Sequence, residues 1–149
     1  MKLSTRTRYG TRALLDIARH QGDKLVQLKD IAHRQNISLH YLEHIIAPLV
    51  GAGIVRSTRG ARGGLQLTRR PGEIKLSEVV QLLEGTITPV DCVIDPESCK
   101  RSDFCVTREV WGEMKKAIDN TLKTTTLQNL VEREKGKEQA SGMKSRRSR

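Results

Sequence analysis

The stretch from residue 37 to residue 49 carries the most restrictive pattern in this chain. Ser38 is a good helix N-cap, and Ile37 and Leu42 occupy the positions of a hydrophobic staple around it. Apolar residues then recur at positions 42, 45, 46 and 49, which is the spacing of an amphipathic helix. Because Pro48 lacks a backbone N–H, we expect a kink there or an end near Gly51.

The flanking segments fix the order of elements around this helix. Helical periodicity predicts helices over residues 5–20 and 28–35, and β-type runs follow at 54–57 and 65–68. The segment 58–64 between the two runs holds three glycines and two arginines, which predicts a flexible basic hairpin tip. Three helices followed by two strands is the order of a winged helix-turn-helix, a mainly α fold with a small β-hairpin wing.

The second half of the chain predicts further helices around an irregular segment. We expect a helix at 76–84, irregular chain at 86–104, a longer helix at about 105–122 and a short last helix near 127–131. Residues 1–75 are therefore assigned to the winged helix-turn-helix and residues 76–133 to the irregular loop and the later helices. Residues 134–149 are polar and basic, and we expect a disordered tail.

Charge is distributed unevenly along the chain. Residues 1–75 carry 14 basic and 5 acidic residues, a net charge of +9, whereas residues 76–135 have a net charge of −3. A basic half indicates a polyanionic partner, and only four aromatic residues argue against a stacking platform for single strands. Duplex DNA is therefore the expected partner. No apolar run suits a membrane span or a secretory signal, so we expect no membrane association and a cytoplasmic location.

In a helix-turn-helix, the early residues of the second helix contact base edges in the major groove. Serine, histidine and glutamate side chains have the donors and acceptors for such contacts, whereas Tyr41 has packing against the core as its alternative. The candidate DNA-reading residues of this helix are Ser38, His40, Tyr41, Glu43 and His44.

Arginines supply the other predicted DNA contacts. Arg59 and Arg62 lie on the glycine-rich hairpin tip, where they suit a narrow minor groove. Arg6, Arg8 and Arg12 on the first helix are expected to meet phosphates, which position the protein without specifying sequence.

The three cysteines of the chain, Cys92, Cys99 and Cys105, all lie within 14 residues. An odd number of cysteines in a reducing compartment does not indicate a disulfide framework. Thiolates bind iron–sulfur clusters or zinc, but the spacing lacks the paired CxxC knuckles of a zinc ribbon. An iron–sulfur cluster is favoured here, with zinc, thiol sensing or no ligand as alternatives.

The chain shows none of the patterns that indicate an enzyme. It has no recognisable nucleophile–base pairing, and the glycines near position 60 lead into a strand instead of a helix. We therefore predict a non-catalytic protein.

The sequence resembles the Rrf2 family of winged-helix regulators, which includes an iron–sulfur cluster assembly repressor and a nitric-oxide-sensing repressor. The matching stretches are residues 3–10, 37–43 and 59–64 and the cysteine loop that runs into Val110 and Trp111. The resemblance implies a homodimeric transcription repressor bound to a palindromic promoter site, with dimerisation through the helix at about 105–122. It also implies that the cysteines hold a cluster, with [2Fe–2S] favoured over [4Fe–4S], whose state senses iron–sulfur status or oxidative stress and controls operator binding.

The family also includes a cysteine-metabolism repressor that works with a partner. The alternative is therefore a regulator of the same fold without a cluster, acting through a partner protein or thiol oxidation.

The chain departs from the family in its fourth cluster ligand. Six residues separate Cys92 from Cys99, where the assembly-repressor branch typically has five. Arg108 stands where that branch has a histidine ligand, and Arg8 lies near the position where the nitric-oxide branch uses an aspartate. A guanidinium stays protonated and does not ligate iron. Glu43 is the favoured candidate, and the alternatives are Asp91, Asp95, Asp103, or a thiol or water from outside the chain.

Overall fold

The computed structural model describes the backbone of residues 1–147 and the side chains of residues 1–142. Its first helix, α1, spans Thr5–His20, and the Ser4 hydroxyl caps it by accepting a hydrogen bond from the backbone N–H of Thr7 at 3.2 Å. Leu14 and Ile17 turn one face of α1 into the core. The predicted helix over residues 5–20 is therefore confirmed.

Helices α2, Leu28–Gln35, and α3, Leu39–Gly51, form the helix-turn-helix. Asn36 ends α2 in the left-handed region at φ 53°, which redirects the chain toward α3. Ser38 caps α3 as predicted, because its hydroxyl accepts from the backbone N–H of Tyr41 at 3.2 Å. The helix continues through Pro48 and ends at Gly51, three residues later.

A two-stranded antiparallel hairpin forms the wing. Strand β1, Val55–Thr58, pairs with β2, Gly64–Leu67, with Val55 opposite Leu67 and Thr58 opposite Gly64. Gly60 has a φ of 104° in the connecting turn, a conformation that a residue with a side chain rarely adopts. At Gly63 an added Cβ would lie 2.1 Å from the carbonyl oxygen of Thr58, so this turn requires its glycines.

The remaining elements are α4, Leu76–Leu83, α5, Val106–Thr124, and α6, Leu127–Arg147. Short 3-10 helical turns occur at Pro71–Glu73, Asp91–Val93, Pro96–Ser98 and Ser102–Phe104. The cysteine segment, residues 91–105, is therefore a series of tight turns where the sequence predicted irregular chain.

One buried cluster joins the two halves of the sequence. Leu14 of α1, Leu42 and Leu49 of α3, and Ile54 before β1 are fully buried in it. The cluster also takes in side chains from beyond residue 75, namely Val79, Leu83 and Leu127. Helices α4 and α6 therefore help to hold the helix-turn-helix and the wing in place, and the predicted division at residue 75 does not separate two cores.

The predicted disordered tail is wrong for the described residues from 134 to 147, which continue α6. Residues 132–140 are rich in Glu, Lys, Gln and Ala, which have high helix propensity. Arg19 of α1 also forms ion pairs with Glu134 at 3.2 Å and with Glu138 at 2.7 Å, so α6 is tethered along α1. Composition alone indicated disorder because it does not register this pairing. Residues 148 and 149 lie outside the described residues.

Candidate nucleic-acid interface and cysteine segment

Helix α3 presents a polar face to solvent. Ser38, His40, Glu43 and His44 are exposed along it, as the sequence predicted. Tyr41 is half-buried and packs edge-on against the Tyr9 ring at 6.1 Å between centroids, so its ring belongs to the core side of the helix. The structure thus brings four of the five candidate side chains to one exposed surface.

His40 and His44 lie one turn apart and contact each other. Their Nε2 atoms are 3.3 Å apart, and the two rings are nearly perpendicular at 88°. The Glu43 carboxylate lies 4.0 Å from Nδ1 of His40. The exposed face of α3 therefore carries a compact imidazole pair next to a carboxylate.

The wing carries two arginines in its turn. Arg59 and Arg62 are exposed at the turn, which is held at its base by a hydrogen bond of 2.6 Å from the Gln27 amide to the Gly63 carbonyl oxygen. An open groove of about 510 Å³ separates α3 from the wing and includes Glu43 and Ser57 in its lining. This groove lies between the two elements that the sequence predicts to contact DNA.

The arginines of α1 differ in how they are engaged. Arg6 and Arg8 are exposed, and Arg8 makes only a local hydrogen bond of 3.1 Å to the Thr5 hydroxyl. Arg12 instead donates hydrogen bonds to the side chain and the carbonyl oxygen of Gln35 in α2, and its guanidinium lies 5.2 Å from the centre of the Tyr9 ring. Arg12 therefore joins α1 to α2, which leaves Arg6 and Arg8 as the candidates for phosphate contact.

Two exposed residues of the candidate interface were not predicted from the sequence. Leu39 is 46% exposed in the first turn of α3, where an apolar side chain suits the methyl group of thymine. Arg56 is exposed on β1, opposite Gln66. Two sequence signals could have identified these residues. Leu39 lies four residues before Glu43, which places both on one face of the helix, and side chains along a strand such as β1 alternate between its two faces.

A buried carboxylate fixes the angle between α1 and α2. Asp16 is only 2% exposed and accepts hydrogen bonds from Arg34, the shortest at 2.6 Å, and from the Gln35 amide at 2.9 Å. Burial by itself raises the pKa of Asp16, but the hydrogen bonds from Arg34 and Gln35 and the charges of Arg34 and His20 outweigh it and lower the pKa below its usual value. The pair therefore positions the first helix of the helix-turn-helix on α1.

Glu84, the residue after α4, binds the start of α1. Its carboxylate accepts hydrogen bonds from the Ser4 hydroxyl at 2.7 Å, from the Ser4 backbone N–H at 3.0 Å and from the Thr7 hydroxyl. The hydrogen bond from the Ser4 side chain, then that from Thr7, lowers the pKa of Glu84. This contact ties the helix that carries Arg6 and Arg8 to the chain that leads into the cysteine segment.

All three cysteines are half-buried free thiols in the cysteine segment. Cys92 lies in the turn Asp91–Val93, Cys99 follows the turn Pro96–Ser98, and Cys105 is the N-cap of α5. The Cys105 sulfur lies 3.1 Å from the Thr107 hydroxyl. That hydrogen bond first, and the backbone N–H of Arg108 next, lower the pKa of the Cys105 thiol, which favours the thiolate that binds metals.

Arg108 is a tether in this structure. Its Nε donates a hydrogen bond of 2.7 Å to the carbonyl oxygen of Cys92 and so joins the first turn of α5 to the start of the cysteine segment. Among the residues described, no group of three or more histidine, cysteine, aspartate or glutamate side chains converges closely enough to hold a metal ion. The donor set suits iron and sulfide chemically, but the structure does not gather the three sulfurs, and it places Glu43 at the groove beside the wing.

Helix α5 exposes an apolar stripe along its length. None of its residues is buried, and three large apolar side chains stay exposed: Val110 at 50%, Trp111 at 36% and Met114 at 40%. Ile118 and Leu122 continue the stripe toward the end of the helix. An apolar helical face of this length indicates a protein interaction surface.

The fold, the exposed polar face of α3 and the exposed arginines of the wing define a winged helix-turn-helix DNA-binding protein. The chain belongs to the Rrf2 family, because the sequence profile of that family, described as an iron-dependent transcriptional regulator, matches residues 3–133. The predicted family and fold are thereby confirmed. Since the family consists of transcriptional regulators, the prediction of a non-catalytic protein is confirmed as well.

Individual relatives cover most of the chain. It is 48% identical over 131 residues to protein rrf2 of Nitratidesulfovibrio vulgaris, and the matched region covers 88% of this chain and 87% of that protein. Among solved structures it is similar to CymR (YrzC), the global cysteine regulator of B. subtilis, with a TM-score of 0.76, 36% identity and coverage of 89% and 97%. It is also similar to T. potens IscR, with a TM-score of 0.71, 40% identity and coverage of 89% and 87%. No helix within the described residues is long and apolar enough to cross a membrane.

Proposed function

We propose that this DNA-binding transcriptional regulator is a homodimeric repressor that reads duplex promoter DNA with α3 and the wing. The early residues of α3 enter the major groove, with Ser38, His40, Glu43 and His44 toward the bases. Arg59 and Arg62 reach the adjacent minor groove, and Arg8 contacts a phosphate. A regulator of bacterial promoters acts in the cytoplasm, which is the location we propose.

We further propose that Cys92, Cys99 and Cys105 hold an iron–sulfur cluster, [2Fe–2S] in preference to [4Fe–4S]. A bound cluster supplies one-electron redox chemistry and sensitivity to oxidants. The observation that carries this proposal is that all three thiols of the chain lie within 14 residues that lead directly into α5. The lowered pKa of Cys105 and the similarity to T. potens IscR support it. Because three thiolates leave one ligand position open, Glu43 remains the proposed fourth ligand, with the aspartates of the cysteine segment as alternatives.

The chain's own residues have separate tasks in this proposal. Arg108 holds the carbonyl of Cys92 and thereby restrains the turn that carries the first thiol. Thr107 and the first N–H groups of α5 stabilise the Cys105 thiolate. Ser102 is buried and donates a hydrogen bond of 2.6 Å to the carbonyl oxygen of Pro96, which maintains the turn around Cys99.

Anaerobic purification tests the cluster. We expect coloured protein that contains iron and acid-labile sulfide, and we expect each of Cys92→Ala, Cys99→Ala and Cys105→Ala to lose the visible absorption. Glu97→Ala is the matched control, because Glu97 is exposed in the same segment and is not a proposed ligand. Colourless wild-type protein without iron or sulfide, isolated under strict anaerobiosis, contradicts the proposal.

The dimer that we propose is formed through α5. A stable interface buries on the order of 1,600 Å² in total, and no residue of α5 is buried within the described part of the chain, where Val110, Trp111 and Met114 stay 36–50% exposed. Pairing two copies of this helix would cover Val110, Trp111 and Met114, which otherwise remain in water. Sedimentation equilibrium tests the stoichiometry.

A second candidate is a regulator of the same fold that works without a cluster, through a partner protein or thiol oxidation. Similarity to the cysteine regulator CymR and the lowered pKa of an accessible thiol favour it. The two candidates differ in one measurement: oxidation of iron-free protein by peroxide changes DNA affinity only in the second, and Cys105→Ser abolishes that change.

A further inference from the structure

His40 and His44 form an imidazole pair on α3 whose ring nitrogens lie within hydrogen-bonding distance of each other. The Nε2 atoms of His40 and His44 lie 3.3 Å apart, and both side chains are open to solvent. In a neutral imidazole only one ring nitrogen carries a proton, so two Nε2 atoms this close do not both act as donors. At least one lone pair is therefore directed into the space that the two rings share.

The separation of the two Nε2 atoms suits two nitrogens bound to one metal ion. Zinc binds histidine nitrogens at about 2.0–2.1 Å, and two nitrogens 3.3 Å apart then subtend roughly 105–110° at the ion, which is close to tetrahedral. The spacing of four residues on a helix is also the one that places two histidines on one face for zinc binding. The spacing of the pair therefore permits chelation once both Nε2 atoms present their lone pairs to one ion.

Glu43 adds a negative charge beside the imidazole pair. Its carboxylate lies 4.0 Å from Nδ1 of His40, which is too far for a hydrogen bond but close enough for that charge to favour a cation at the pair.

We propose that His40 and His44 form a bidentate site for a divalent transition-metal ion of the zinc, nickel or cobalt class. Imidazole suits these ions, whereas magnesium and calcium prefer oxygen ligands. Among the described residues, no group of three or more histidine, cysteine, aspartate or glutamate side chains is arranged to hold a metal ion, so water completes the coordination at the two imidazoles. The proposed site uses none of the three thiols.

Imidazole NMR tests the site directly, because the chain has four histidines and the spectrum reports on each of them. In the full-length wild-type protein, added Zn²⁺ is expected to shift the ring signals of His40 and His44 and to leave those of His20 and His33 in place. Mg²⁺ at the same concentration is expected to shift none of the four. Zinc bound by the cysteines leaves the imidazole signals unperturbed, so it does not produce the expected shifts of His40 and His44.

Single substitutions test chelation. His40→Gln is expected to weaken Zn²⁺ binding at His44 by roughly two orders of magnitude, because the second ligand no longer acts at high effective concentration. His33→Gln is the matched control, since His33 is exposed on α2 and lies outside the pair. Equal Zn²⁺ affinity in the wild type and His40→Gln, or equal shifts of all four histidines, would overturn the proposed site.

A consequence for DNA rests on the proposed function. A hydrated ion on the Nε2 atoms occupies the space in which α3 would meet base edges, so metal and duplex are expected to compete. With a duplex selected from a random pool by the metal-free protein, added Zn²⁺ should weaken binding by the wild type and by His33→Gln over the concentration range that shifts the His40 and His44 ring signals, whereas Mg²⁺ over the same range should not. Equal weakening by Zn²⁺ and Mg²⁺, or weakening at Zn²⁺ concentrations that leave these two rings unshifted, refutes competition at this site. If the protein selects no duplex, the proposed function fails, while the imidazole spectra still decide the metal site.

Discussion

Replacing Asp16 with alanine removes the acceptor that holds α2 against α1. In the folded protein, Oδ1 accepts from Arg34 at 2.6 Å, and Oδ2 accepts from Arg34 at 3.0 Å and from Gln35 at 2.9 Å. Breaking a buried ion pair by deleting one partner costs about 3–5 kcal/mol. The Arg34 side chain is 33% exposed, so part of its charge regains water after the substitution. We therefore expect a loss of about 2–4 kcal/mol in the free energy of unfolding.

Urea denaturation at neutral pH measures this loss, with the protomer concentration fixed because the proposed dimerisation would contribute to stability. A chain of this size loses about 2–4 °C in Tm per kcal/mol, so thermal unfolding should shift by roughly 5–15 °C. Asp23→Ala is the control, because Asp23 is exposed in the loop after α1 and surface substitutions stay within about 0.5 kcal/mol.

A double-mutant cycle assigns the loss to the contact with Arg34. If the pair acts as a unit, Asp16→Ala and Arg34→Ala together should cost much less than the sum of the single changes. Additive costs, or an Asp16→Ala protein no less stable than Asp23→Ala, would show that the carboxylate does not hold the two helices together.

Three further changes test other parts of the molecule. Arg59→Ala should weaken specific DNA binding by about 1–3 kcal/mol in a fluorescence anisotropy titration, whereas Arg70→Ala, an exposed change outside the wing, should not. Met114→Glu should shift the protein toward monomer in sedimentation equilibrium, because the dimer would bury an unpaired charge, while Lys116→Glu on the exposed polar face of α5 should leave the stoichiometry unchanged. Because the pKa of Glu84 is lowered in the folded state, its contribution to stability is complete above its usual pKa of about 4.5 and is lost as the pH falls through the lowered value. Glu84→Gln should therefore be less stable than the wild type at pH 6, and the difference should shrink toward pH 3; a constant difference would contradict this assignment.

The helix-turn-helix was predictable because its signals are local. Ser38 caps α3, apolar spacing sets its buried face, and the glycines of the hairpin tip allow a turn that other residues disfavour. Each of these depends on residues fewer than ten positions apart, which is the range over which sequence periodicity carries information.

The features that the sequence did not reveal depend on distant residues. The pairing of Arg19 with Glu138 links α6 to α1, and the contact of Arg12 with Gln35 turns an expected phosphate ligand into a link between helices. Nothing in the local sequence around Arg108 indicates that its guanidinium reaches the carbonyl oxygen of Cys92, sixteen residues earlier. Side-chain partners across such separations are set by packing of the whole domain, so the candidate site was predictable in residue type and location but not in its contacts.

The position of Cys105 offers a physical route between the proposed cluster and the proposed DNA contacts. This residue caps α5, and the exposed apolar stripe of that helix begins within its next two turns, at Val110 and Trp111. A helix is a rigid element, so a change in the hydrogen bond between the Cys105 sulfur and Thr107 alters the first turn of the surface that we propose to form the dimer. In a dimeric helix-turn-helix protein the interface sets the distance between the two reading helices, which must match half-sites about one helical turn of DNA apart. Chemistry at the thiols would then control operator binding through the spacing of the two α3 helices, without any change in the residues that meet the bases.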